Sequence, residues 1–350
     1  MAGSVAEQRG GRIMAQARIQ GIALRGIVSA LPAHTQDVSD LALRFGAEQA
    51  ERIATATGIH RRHITRPDQC LSDLALPAAQ ELLDGLGWAA DSIDLLIVVT
   101  QTPDHPLPAT ACLLQNALGL GRHCAAFDMG LGCSGYIYGL WNAASLLAGM
   151  QRGRALLVAG DITSRTLDAD DRSTAPLFGD AATVTALEYD QAAGALVVDL
   201  GTDGTGAPYL IKQRGGQRHP DGPPLFMDGT QVFAFTLREV PKAIAATLAA
   251  AGLTMADIDH VVLHQANEMM LKRLGQKIGA TSDQLVLTLR QRGNTSSASI
   301  PLAISDGLTD PLATAPTRLL LSGFGVGWSW GTAVWMVGPV RGPCRTIEVD

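Results

Sequence analysis

Apolar runs alternate with amphipathic stretches along the chain, and each kind predicts an element. Ile19, Ile22, Leu24 and Ile27 predict a first strand over residues 17–29 with a glycine bend, broken at Leu31-Pro32. Val38, Leu41, Leu43 and Phe45 predict a helix within residues 37–52, starting near Ser39, and residues 57–63 then read as a basic loop. Leu76, Ala79, Leu82 and Leu83 recur at helical spacing over residues 72–86, with Ser72 as the expected cap and Pro77 marking where the regular helix begins. Residues 93–100 are almost wholly apolar, the pattern of a strand covered on both faces. Such strands alternating with helices predict an α/β architecture.

The pattern then returns. Residues 87–99 have a counterpart in residues 252–264, about 165 positions on, with Gly, Ile and Asp in register. Gly132-Cys133-Ser134-Gly135 is echoed by Gly293-Asn294-Thr295-Ser296, and each opens a small-residue helix. Residues 154–160 are echoed by residues 318–323. Three matches in one order, at nearly one shift, predict two homologous halves: 16–189 with the cysteine, and 190–350 with the histidine and asparagine. Residues 1–15 read as a disordered extension.

Composition narrows the function. Hydrophobic residues make up 47% of the 350 and charged residues 17%, enough for a large buried core. A net charge of −6 gives no reason to expect nucleic acid, and no basic block marks a membrane surface. Residues 1–20 lack the apolar centre of a signal peptide. There is no run of about 18 apolar residues, so no membrane-spanning helix is expected, and the expected location is cytoplasmic. The five cysteines have no CxxC spacing, so neither a disulfide framework nor a metal site is expected.

Cys133 follows an apolar strand (residues 124–127) and precedes a long Ala/Leu helix, so it falls on a sharp strand-to-helix turn. The N–H groups and dipole at such a helix start favour a thiolate. The duplication sets Asn294 at the mirror position, and His264 ends the matching strand. A cysteine can attack a thioester and hold the acyl group. An asparagine cannot act as a base but, with a histidine, can offer N–H donors to a developing enolate. Gly323-Phe324-Gly325-Val326-Gly327 gives a chain able to approach Cys133 closely. Residues 203–226 are rich in Gly and Pro and read as a solvated loop in preference to a substrate lid.

These motifs resemble the β-ketoacyl-acyl-carrier-protein synthase III branch of the thiolase-like superfamily. The resemblance is carried by Asp128…Gly132-Cys133-Ser134-Gly135, Asp171-Arg172…Phe178-Gly179-Asp180, His264-Gln265-Ala266-Asn267, residues 293–301, and Phe324-Gly325-Val326-Gly327…Trp330-Gly331. It implies a thiolase-like fold of two βαβαβαββ halves in five αβαβα layers, and a homodimer. It implies Cys133 as the acyl-accepting nucleophile, His264 and Asn294 assisting decarboxylation of a malonyl thioester, and the N–H groups of Cys133 and Val326 as oxyanion hole. Arg172, Gly229, Phe233 and Asn267 match substrate-binding positions. No cofactor is implied beyond coenzyme A or phosphopantetheine thioesters as substrates, and an acyl carrier protein is the expected partner.

Several positions depart from the family. Arg52 and Ala56 stand where coenzyme A-specialised members carry Trp and Arg, and Met269 stands where an Arg is usual. Weak adenine recognition and a carrier-borne donor are expected from this. Leu107 replaces an often aromatic residue that reaches across the dimer to floor the acyl pocket, which points to a larger or branched acyl group unless Trp141 or Phe235 refills the space. Leu107 also cannot be the glutamate base of the head-to-head condensing branch. Same-fold acyl transfer to an alcohol or amine ranks second, and a non-catalytic subunit of a heterodimeric synthase third.

Overall fold

In this computed structural model, residues 15–350 are described. The expected extension lies outside them, except that Ala15 already opens the strand Ala15–Ile19. Two sheets form, and neither keeps to one of the halves expected at 16–189 and 190–350, because each takes an edge strand from the other. In the first, the strand order is Cys344–Val349, Ile22–Pro32, Ala181–Tyr189, Arg154–Asp161, Leu95–Val99 and Ala125–Met129. In the second it is Ala15–Ile19, Leu196–Thr202, Ser329–Val337, Thr317–Gly325 and His260–Leu263. Within each sheet the central pairings match. Leu95–Val99 runs parallel to Arg154–Asp161, as His260–Leu263 does to Thr317–Gly325, and the next strand is antiparallel in both.

The repeat holds residue by residue. Helices Leu71–Leu86 and Gly229–Ala251 end at Gly87 and Gly252, short 3-10 turns follow at Ala90–Ser92 and Met255–Asp257, and strands begin at Leu95 and His260. Each of those positions is 165 apart.

Strand alternation sorts side chains into layers. Leu95, Ile97 and Val99 face a central core, while Leu96 and Val98 face an outer one. The second sheet does the same, with Leu319 and Leu321 inward and Leu320 outward. This is the doubly covered strand that the apolar runs predict. Leu71–Leu86 covers the outer face of the first sheet, and Gly229–Ala251 with Glu268–Ile278 covers that of the second. Between the sheets lie Gly135–Met150 and Ser299–Gly307, whose Tyr136, Ile137, Leu140, Ile300 and Ile304 are buried by both. The result is the five-layered αβαβα arrangement.

Local expectations are corrected in four places. The first strand is two, because the chain turns at Gln20-Gly21 and passes from one sheet to the other. The helix expected within 37–52 is split by Gly46 into Val38–Phe45 and Ala47–Thr57, and Asp37 caps the first by accepting from the Ser39 N–H. Helix Leu71–Leu86 starts one residue earlier than expected and runs through Pro77. Cys70, not Ser72, is its cap residue, with the Asp73 carboxylate accepting from the Cys70 N–H at 2.7 Å. Finally, Arg61–His63 is no loop but a short strand paired with Thr35–Asp37, and Arg62 and His63 are buried.

Leu140 is the most direct test of the central layer. Leu140→Ala leaves a void between two sheets that cannot collapse around it, so a loss of about 2–5 kcal/mol is expected as a lowered midpoint in urea unfolding.

Candidate active site

Each candidate side chain sits at the end of an element that the core fixes. Strand Ala125–Met129 delivers the chain to Cys133, and helix Gly135–Met150 starts immediately after it. Strand His260–Leu263 ends one residue before His264. Asn294 follows Gly293, whose φ of +71° favours glycine and whose Cβ, if present, would meet the Leu177 carbonyl at 2.9 Å. The Asn294 N–H then donates to Leu177 at 2.9 Å and its carbonyl accepts from the Gly179 N–H at 3.0 Å. Its side-chain Oδ1 accepts from the Ser296 N–H, which leaves the Nδ2 donors for the cavity.

Cys133, His264 and Asn294 line one narrow cavity of about 70 Å³, together with Phe178, Phe324 and Gly325. Gly325 is there of necessity. A Cβ on it would lie 2.8 Å from Cys133 Cβ and 3.1 Å from Sγ. The next residue, Val326, directs its N–H toward the Cys133 sulfur. That orientation is tied down through serines. Ser329 Oγ donates to the Val326 carbonyl at 2.7 Å, and Ser134 Oγ reaches Ser329 Oγ at 2.6 Å. The start of the helix after Cys133 and the turn that carries Val326 are thus bolted together.

Burial sets the protonation states. The Cys133 thiol is pushed up to about 12, by burial first and by the nearby Asp161 carboxylate second, against smaller help from Ser296 and the Cys133 and Val326 N–H groups. The thiolate expected at the helix start is therefore not the resting form: desolvation outweighs the helix terminus in this closed site. His264 is pulled down to about 3 by burial, opposed only by the Ser296 carbonyl, so it is a neutral imidazole. Its Nδ1 lies 2.7 Å from Ser299 Oγ. A Ser299 hydroxyl donating there leaves Nε2 carrying the proton.

A second and wider cavity, about 360 Å³, also opens on Cys133 and shares Phe178 and Leu210 with the first. Its roof is the segment expected to be a solvated loop. Leu210–Lys212 and Leu225–Met227 pair as a small antiparallel ladder, and Leu210, Ile211, Lys212 and Leu225 line the cavity. Tyr209 stacks on Trp328, and Trp328 stacks on Phe235 at 4.7 Å, so this roof is seated on aromatic rings. Gly-Pro content signalled the turns but not the Leu-Ile pair that folds back over Cys133.

Other predicted positions are placed as follows. Gly229 and Asn267 line the narrow cavity, and Asn267 also caps helix Glu268–Ile278 through the Met270 N–H. Phe233 packs in the outer core of the second half, outside both cavities. Arg172 is exposed, with its guanidinium 5.9 Å from the centre of the Phe45 ring. Leu107 is 82% exposed, and neither Trp141 nor Phe235 lines the space beside Cys133. Ala56 and Met269 come together in a surface depression with Lys272 and Arg273.

The geometry sets Cys133 and Asn294 near the N-terminal ends of two buried helices, with two cavities meeting at Cys133. Residues 127–204 match 3-Oxoacyl-[acyl-carrier-protein (ACP)] synthase III, and residues 248–337 match its C-terminal part. The chain is 41% identical to a 3-oxoacyl-(acyl-carrier protein) synthase from Burkholderia xenovorans LB400, over 96% of this chain and 99% of that one, with a TM-score of 0.92. The chain belongs to the 3-oxoacyl-[acyl-carrier-protein] synthase III family. The synthase III (FabH) of Pseudomonas aeruginosa PAO1 is 32% identical, covering 92% of this chain and 99% of that one at a TM-score of 0.85. The priming β-ketosynthase of the R1128 polyketide pathway is 27% identical, covering 91% and 97% at 0.81. The chain is accordingly a condensing enzyme of thiolase-like fold, and among the described residues no helix is long and apolar enough to cross a membrane.

Sequence reasoning for the synthase III site missed one supporting network. His63 Nδ1 donates to the Pro32 carbonyl at 2.7 Å, so its Nε2 accepts from Arg292 Nη1 at 3.0 Å, and Arg292 Nε pairs with Asp306 at 2.8 Å. Arg62 donates to the Ala175 and Phe178 carbonyls. Arg292 lies two residues before Asn294 and Phe178 pairs with it, so these groups hold the segments around Asn294. Their only sequence signal is the basic run 60–63, which reads as solvated. The protonation states are checkable by ultraviolet thiolate absorbance. With its titration held near 12, Cys133 contributes no thiolate signal up to about pH 10, so free wild type and Cys133→Ala are expected to give superimposable curves over that range.

Proposed function

We propose that this chain transfers an acyl group from a thioester donor to Cys133 and condenses it with a malonyl thioester, releasing carbon dioxide and a β-ketoacyl thioester. The observation that carries the reading is the shared cavity of Cys133, His264 and Asn294, with the Val326 N–H aimed at the sulfur. In the first half-reaction Cys133 Sγ attacks the acyl carbonyl, the bond to the donor sulfur breaks, and the thiol proton leaves on the departing thiol. In the second, the malonyl carboxylate leaves as carbon dioxide. The electron pair passes into the thioester carbonyl, where neutral His264 Nε2–H and Asn294 Nδ2–H donate to the enolate oxygen. The α-carbon then attacks the acyl-cysteine carbonyl. The resulting oxyanion is held by the Cys133 and Val326 N–H groups until the C–S bond breaks, and the cysteine leaves as a thiolate that takes up a proton from solvent to regain its resting thiol.

Gly229 and Asn267 fit the approach of a pantetheine arm, and Arg172 and Leu107 complete the substrate-binding assignment, Leu107 from the second copy of a homodimer, while Phe233 is left out of it by its place in the outer core. Ala56 and Met269 in place of larger or charged side chains support a donor carried on an acyl carrier protein in preference to one held by its adenine. No resident cofactor is required, because the thioesters are substrates. Primary fatty-acid initiation and a specialised pathway both fit this chemistry.

The halves of the reaction separate experimentally. Cys133→Ala is expected to abolish the acyl adduct in intact-mass spectra. Asn294→Ala should keep the adduct while slowing release of labelled carbon dioxide about 10²–10³-fold. Loss of the adduct in Asn294→Ala, or unchanged decarboxylation, would overturn the division of roles. Because His264 titrates far below its ordinary value, decarboxylation by the acyl-enzyme should show no break near pH 6.5.

A further inference from the structure

The wide cavity beside Cys133 has two chemically different walls. Phe178, Leu210, Ile211, Leu225 and Val326 form an apolar side. Gln101, Thr102, Thr163 and Thr166 make a polar wall that meets the apolar one where Gln101 and Val326 both lie beside Gly132, with Lys212 at the roof. A pocket shaped for a plain hydrocarbon chain has no use for that second wall, since an alkyl group would strip water from it and return no hydrogen bond.

The polar groups divide further into satisfied and open ones. Thr102 Oγ1 accepts from the Ile162 N–H at 2.8 Å, and Thr166 Oγ1 donates to the Thr163 carbonyl at 2.8 Å. Asp161 also lines this wall, but its carboxylate is saturated. Oδ1 accepts from the Gln101 N–H and Thr100 Oγ1, and Oδ2 accepts from the Ser297 hydroxyl and N–H. The open groups are the buried Thr163 hydroxyl and the solvent-exposed Gln101 amide and Lys212 ammonium, none of which has a hydrogen-bond or ion-pair partner among the described residues. Thr163 is only 7% exposed, so its hydroxyl has little access to solvent except through the cavity. The Gln101 amide lies against the Gly132 Cα, one residue from the nucleophile. All three groups can donate, and an acceptor oxygen on the ligand would satisfy them.

We propose that the acyl group loaded onto Cys133 carries a second oxygen function, a hydroxyl, ketone or carboxylate, beyond its thioester carbonyl. This rests on the acyl-transfer reading above and specifies its donor. The carbon skeleton lies along Phe178 and Leu210, and the oxygen faces Thr163, Gln101 and Lys212. Asp161, filled by its own donors, sets the limit of the polar wall and takes no part in recognition.

The test uses the full-length protein and pantetheine thioesters, which remove any dependence on a carrier or on adenine. Rates of Cys133 acylation are read by intact mass for 3-hydroxybutyryl, 3-oxobutyryl and succinyl donors against butyryl and pentanoyl. At least one oxygen-bearing donor is expected to exceed both alkyl donors by about tenfold, the size of one or two well-placed hydrogen bonds. A preference for succinyl assigns the contact to Lys212; a preference for a neutral oxygen assigns it to Thr163 and Gln101. Thr163→Val, Gln101→Leu or Lys212→Leu should then reduce that ratio to within about threefold. Alkyl donors that load as fast as all three oxygenated ones overturn the proposal, as does a preference that survives all three substitutions. No adduct from any of the five thioesters would instead sink the acyl-transfer reading itself.

Discussion

The site depends on the burial of two helices between two sheets. Gly135–Met150 and Ser299–Gly307 are apolar on almost every side, because each meets a sheet above and below. A helix in that position cannot slide or tilt without opening a void against one sheet or the other. Its first turn is therefore placed as firmly as its middle. The duplication sets both helix starts near one point, and the segments just before them carry Cys133 and Asn294, the proposed nucleophile and amide donor. Rigidity that a flexible surface loop would lack is supplied here by the core.

The same burial decides the chemistry available. A dry pocket disfavours charge, so Cys133 rests as a thiol and His264 as a neutral imidazole. A neutral imidazole with its proton on the cavity-facing nitrogen suits the role of hydrogen-bond donor to an anion that forms later. A resting imidazolium–thiolate pair would suit base-assisted hydrolysis better. The site is prepared for charge that appears during the reaction and holds little before it, which is the condition under which fixed dipoles are most effective.

Much of this was legible in the sequence because it rests on periodicity and repetition. The apolar run at 93–100 announced a doubly covered strand, and matches at shifts of 161 to 165 residues pointed to Asn294 and His264 as companions of Cys133. What escaped was carried by long-range polar contacts with no local pattern. Arg62, His63 and Arg292 look like solvated cations in the chain, yet they are held by carbonyls and a carboxylate contributed from distant segments. The roof over Cys133 escaped for a related reason. Glycines and prolines dominate residues 203–226, and nothing local shows that Leu210 and Ile211 fold inward onto a partner strand more than ten residues away. The helix-terminus argument for a thiolate failed because sequence shows the dipole but not the depth of burial.

Each sheet takes an edge strand from the opposite end of the chain. Ala15–Ile19 completes the sheet of the second half, and Cys344–Val349 lies parallel to Ile22–Pro32 in the first, with Cys344 opposite Ile27. During synthesis, the backbone edge of Ile22–Pro32 thus stays open until nearly the whole chain has emerged. An open edge is a template for pairing with another chain, and so distant a partner makes closure slow. The two halves, though each resembles a complete domain, are in this respect one cooperative unit, and severing the chain between them would leave each piece with an unfinished sheet that only the other can close.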